Sequence, residues 1–121
     1  MSYRLEAMLM KIVTPEKAIE LVREGRTGFL MTLVYWLNDP DAPVDPENLG
    51  IRVQTGGLTL SPEHTPNISL VGDILVTDAY FPEELIPEPL RKEENRMEWG
   101  GFRVSVRIPK WAIMAILFPA D

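Results

Sequence analysis

The chain has 121 residues, of which 45% are hydrophobic and 25% charged, a formal net charge of −6 and no cysteine. Folding a chain of this length removes about two thirds of the unfolded surface from water, so one core suffices and a single domain over 1–121 is expected. The lack of cysteine excludes a disulfide framework, a thiolate metal site and a cysteine nucleophile, and the negative charge opposes the counterion release that drives binding to phosphate backbones, so no nucleic-acid partner is expected.

Residues 1–6 lack the cationic region and apolar stretch of a secretory signal. From Tyr3 to Val13 the apolar residues are dense, with Tyr3, Leu5, Ala7 and Leu9 on a period of two, which predicts a strand buried on much of both faces. Thr14-Pro15-Glu16 then offers a capping hydroxyl, a proline suited to the first helical position and a carboxylate at the positive end of the dipole. A helix over 15–24 follows, with Ala18, Leu21 and Val22 as its inner stripe and Gly25 as terminator. The β-branched and aromatic run 29–37 is the clearest strand.

Prolines and aspartates make 38–48 an exposed acidic loop. Short strands are expected at 51–54, 58–60, 67–70 and 74–80, separated by Gly56-Gly57, Pro62, Pro66 and Gly72-Asp73. A second long loop covers 81–97, and strands at 99–108 and 112–118 close the chain. The architecture is therefore mainly β (α+β), a small β-sandwich or partly open barrel with one helix near the N-terminus. The longest apolar runs are about nine residues against about 20 for a spanning helix. No membrane partner is expected, and the cytoplasm is the expected location. Scarce amides (Asn38, Asn48, Asn67, Asn95, Gln54) and 11 prolines point to a thermophilic source.

The stretch Gly101-Phe102-Arg103-Val104-Ser105-Val106-Arg107-Ile108-Pro109-Lys110-Trp111-Ala112-Ile113-Met114-Ala115-Ile116 resembles the close of the SspB family of protease adaptors, where a strand leads to a proline, an Ala-Ile or similar pair and another apolar strand. Residues 58–81 resemble that family's central hairpin, so the likeness covers about half the chain. Sm-like small barrels look similar over the same stretch, because proline interrupts a strand without needing an amide partner. The resemblance implies a peptide-binding adaptor. SspB proteins begin with a helix and end in a flexible tail bearing an unfoldase-binding motif. Here a strand is expected first and the given sequence stops at Asp121, so tethering to an unfoldase is not expected.

Catalytic groups are sparse. His64, the one histidine, lies in Ser61-Pro62-Glu63-His64-Thr65-Pro66, where extended neighbours point apart, so an exposed and dispensable turn histidine is expected rather than a general base. Asp39, Asp41, Asp45 and Glu47 lack the glycine of an EF-hand loop and sit among Pro40, Pro43 and Pro46. A solvated loop is expected there, with a weak cation site as its alternative. The pairs Glu83-Glu84 and Glu93-Glu94 show no contrast of environment, and Gly56-Gly57 and Gly100-Gly101 lack the lysine and helix of a phosphate loop. Arg103 and Arg107 are expected on a solvated strand face, and Trp36, Trp99 and Trp111 in the core.

No cofactor and no enzymatic activity are expected. The leading expectation is a non-enzymatic protein- or peptide-binding adaptor whose partner-facing segment is 81–97. There Leu85, Ile86 and Leu90 would supply apolar contact, and Glu83, Glu84 and Arg91 charge preference. A small acidic regulator or inhibitor from a phage or mobile element, docking on a host protein such as RNA polymerase or a protease, is the alternative. A carboxylate-dependent enzyme comes third.

Overall fold

In the computed structural model, which describes residues 9–120, Thr14 Oγ1 accepts from Lys17 N at 3.1 Å and Pro15 opens helix α1 (Pro15–Arg23). The hydroxyl satisfies an amide that the helix itself cannot pair, and the proline ring presets a helical φ. Gly25 closes the helix at φ +91°, with Gly25 N and Arg26 N donating to Val22 O and Leu21 O. Only glycine takes that conformation without a Cβ penalty. Ala18, Ile19, Leu21 and Val22 are buried, as the apolar stripe requires.

Among the described residues seven strands form one antiparallel sheet: β1 (Met10–Ile12), β2 (Gly28–Asn38), β3 (Ile51–Leu60), β4 (Ser69–Val71), β5 (Ile74–Phe81), β6 (Phe102–Pro109) and β7 (Ile113–Pro119). Their order is β1-β7-β2-β6-β5-β4, with β3 on the other edge of β2. The sheet curls into a half-barrel around one buried cluster that includes Leu30, Leu60, Phe102, Val104, Ile108 and Phe118. Of the sandwich and the partly open barrel, the second is what forms.

The central strand β2 pairs along one edge with two strands in succession. Phe29 faces Leu117 of β7, and Trp36 faces Arg107 of β6. β6 and β7 therefore lie end to end, interrupted by the 3-10 turn Lys110–Ala112 after Pro109. Proline cannot donate to a ladder, which fits the break. Thr32 bridges the interval: its Oγ1 accepts from Val34 N at 3.3 Å and lies 3.0 Å from Ala112 O.

Several expectations change. Of the strand expected over 3–13, residues 1–8 lie outside the described chain. The described part is a short strand with Met10 and Ile12 exposed, and among the described residues β1 pairs with β7 alone. Gly56-Gly57 does not separate two strands; β3 runs through it in unbroken register with β2. A Cβ at Gly56 would come within 2.6 Å of Tyr35 Cε1, and one at Gly57 would collide with the Phe29 ring. These glycines make room for aromatic rings from the neighbouring strand rather than marking a turn. The strand expected at 67–70 is Ser69–Val71, joined to β5 through Gly72 at φ +62°. The segment 81–97 carries three 3-10 turns, Glu83–Leu85, Glu88–Leu90 and Glu93–Asn95. Among the described residues no helix is long and apolar enough to cross a membrane.

Candidate functional site

The segment 81–97 folds back on the barrel. Ile86 is 1% exposed and Leu90 belongs to the core cluster, whereas Leu85 is 63% exposed. The expectation that Leu85, Ile86 and Leu90 together face a partner is therefore corrected. Each 3-10 turn rotates successive side chains to different sides, so two of the three apolar groups reach the barrel wall and one does not. Polar bonds hold this arrangement. Arg91 Nε donates to Ile86 O at 2.8 Å, Arg103 Nη2 to Asn95 Oδ1 at 3.4 Å, and Arg96 pairs with Glu93 at 2.8 Å and Glu83 at 3.5 Å. The Arg96 guanidinium also lies 4.6 Å from the Phe102 ring centre. Glu83, Glu84 and Arg91 come together with Pro82 and Trp99 around a shallow, charged depression of about 490 Å³.

A second feature has no signature in residue type. The outer edge of β3 has no strand partner among the described residues. β4 covers β5 only at Ile74–Val76, so among the described residues the outer edge of 77–81 has no strand partner; Asp78 N donates to Asn67 Oδ1 at 2.7 Å and Asp78 O accepts from Thr77 Oγ1 at 2.9 Å. These edges border one slot of about 220 Å³ lined by Gly57, Leu58, Thr59, His64, Ala79, Tyr80 and Phe81. Unpaired amides and carbonyls on both sides make it a template for an added strand.

His64 stands at this slot. Its Nδ1 is 2.7 Å from Ser61 Oγ, which also accepts from His64 N at 3.0 Å, and Thr65 Oγ1 donates to Ser61 O at 3.0 Å. The ring is exposed, as expected, but it has a partner. Ser61 is buried beneath the turn, so the pair staples the corner between β3 and β4 instead of presenting a nucleophile to solvent.

The arginine and tryptophan expectations are also corrected. Arg107 is 1% exposed. Its guanidinium donates to Ala42 O at 2.6 Å, Pro43 O at 2.9 Å and Ser105 Oγ at 3.0 Å. Burial pushes its pKa down, while Asp39 and Asp78 act the other way. The acidic loop is thus hung from a buried cation. Among the described residues no group of three or more His, Cys, Asp or Glu side chains is arranged to hold a metal ion. Asp39 is instead held below the usual carboxylate range by the Lys92 ammonium and then by Asp41 N.

Trp99 and Trp111 are 58% and 69% exposed, not core. Trp111 stands nearly perpendicular to the half-buried Trp36, ring centres 6.3 Å apart at 78°. The two flank an open groove of about 740 Å³ at the β6–β7 break, walled by Leu49, Val71, Ile74 and Pro109. The 3-10 turn after Pro109 carries Trp111 away from the sheet, and of this only Pro109 was a visible signal in the sequence.

No protein-family model, no curated protein and no solved structure matches the chain.

Proposed function

We propose that the protein is a non-enzymatic protein- or peptide-binding adaptor that captures an extended segment in the slot between β3 and β5. The observation that carries this reading is the pair of strand edges bordering one cleft that have no strand partner among the described residues. An extended chain entering there gains main-chain hydrogen bonds on both sides, and its alternate side chains meet Leu58 and Ala79 on the inner face and Tyr80 on the outer. The likeness of 58–81 and 101–116 to SspB adaptors supports the same reading, with a partner that is another protein or a peptide.

Selection of binders from a random decapeptide library, followed by titration against variants, tests it. Tyr80→Ala should weaken the selected peptides by about tenfold with the melting temperature nearly unchanged, whereas His64→Ala also removes the staple to Ser61 and should lower both. Peptides indifferent to both changes but lost on Leu85→Ser would overturn the slot. That result would favour the alternative, an acidic regulator docking through Leu85 and Trp99.

A further inference from the structure

The groove at the β6–β7 break is a separate site that shares no lining residue with the slot. Its walls are apolar and aromatic, while its rim is charged. Lys110 is the one cation lining it, and its Nζ is paired with Glu16 Oε2 at 2.7 Å. Glu47 and Asp73 also line it, and among the described residues neither takes part in an ion pair. Asp73 shares the field of Lys110, whose ammonium is already bonded to Glu16, so the groove pairs two indole rings set nearly at right angles with a rim carrying more carboxylate than free cation.

We propose that this groove binds an organic cation, the side chain of an arginine or lysine on a partner segment. The indole face attracts a cation through its quadrupole, most strongly where water is partly excluded. The methylene stem of such a side chain is accommodated by Leu49, Val71 and Ile74, which leaves its head group level with the carboxylates. An anionic occupant would meet Glu47, Asp73 and a net charge of −6. A purely apolar one would gain nothing from the acidic rim or from the quadrupoles of the indole faces. The proposal does not depend on the slot between β3 and β5.

The test uses two capped tripeptides, acetyl-Gly-Arg-Gly-amide and its citrulline counterpart, which keeps the shape and removes the charge. The indole N–H resonances of the whole chain are followed by heteronuclear NMR. The arginine peptide should shift Trp36 and Trp111 saturably and leave Trp99 in place, and citrulline should bind about tenfold more weakly. Glu47→Gln combined with Asp73→Asn should bring the arginine peptide down to the citrulline affinity. Both positions are exposed, so the fold should persist. Trp111→Leu should abolish the saturable shift at Trp36. Equal binding of the two peptides, shifts that grow linearly to millimolar peptide, or shifts confined to Trp99 would each overturn the proposal.

Discussion

The guanidinium of Arg107, on an inner strand of the half-barrel, donates through Nη2 to the carbonyl oxygen of Ala42, 2.6 Å away on the acidic loop. Together with its bonds to Pro43 O and Ser105 Oγ, this contact turns 38–48 from a free connection into one wall of the Trp36–Trp111 groove, to which Pro46, Glu47 and Leu49 contribute. A buried charge held by carbonyl dipoles cannot be removed in part without loss. Arg107→Ala leaves those carbonyls unsatisfied and a cavity behind, and should destabilise the protein by about 2–4 kcal/mol. Arg107→Lys keeps the charge but supplies fewer and differently directed donors, so it should recover only part of the loss. Chemical denaturation of the three proteins checks the order.

The burial of Ile86 and Leu90 separates core from surface within one short segment. Ile86→Ser and Leu90→Ser should each cost about 2–4 kcal/mol, through lost burial and an unpaired hydroxyl. Leu85→Ser, at an exposed position, should stay within about 0.5 kcal/mol. Equal effects at all three would mean that the 3-10 turns do not orient the side chains as described.

Local chemistry accounts for what was legible in the sequence. Thr14-Pro15 and Gly25 delimit α1, Gly72 marks the tight hairpin, and Pro109 marks the break between β6 and β7. Each acts through its own backbone or side chain. The features that were missed depend on distant partners or on the direction in which a short turn points a side chain. Arg107 is buried because carbonyls 64 and 65 residues away converge on it. Trp111 is exposed because the 3-10 turn after Pro109 swings it outward. The slot consists of missing partners at two strand edges, and unpaired backbone has no residue-type signature. Ile86 and Leu90 were recognisable as apolar residues on a stiff segment, but not the direction in which each turn would point them.

The reassignment of Gly56-Gly57 from turn to strand interior carries its own test. With Tyr35 packed over Gly56 and Phe29 over Gly57, a methyl group at either site must displace a ring. Gly56→Ala and Gly57→Ala should each destabilise by about 1–3 kcal/mol through overpacking. The usual modest gain from replacing a flexible glycine should be absent. Gly57→Ala combined with Phe29→Ala should recover most of the loss, since the collision is with that ring. A stabilising Gly56→Ala would indicate a turn instead. Thermal unfolding of the single and double variants is sufficient.

Stability should also fall on acidification, by a route that can be assigned. The ammonium of Lys92 beside Asp39, that of Lys110 beside Glu16 and the guanidinium of Arg96 beside Glu93 hold all three carboxyl pKa values below their ordinary range. A group whose pKa is lower folded than unfolded binds more protons in the unfolded chain. Its contribution is therefore complete above the unfolded value, about 4, and is lost as pH falls through the depressed folded value. Lys92 and Lys110, raised by the same pairs, contribute below their unfolded value of about 10.4 and lose that contribution as pH rises through the folded one. The melting temperature should accordingly be level from about pH 5 to 9 as far as these pairs determine it, and decline on both sides. Asp39→Asn removes one pair while leaving an amide oxygen to accept from Asp41 N, which now donates to Asp39 Oδ1 at 2.9 Å. The variant should melt lower at neutral pH and lose less on going to pH 3, so that the two curves converge in acid. Because the pairs are largely at the surface, 1 M salt should narrow the neutral-pH gap. Parallel acid limbs would show that Asp39 is not held below its ordinary range in the folded protein.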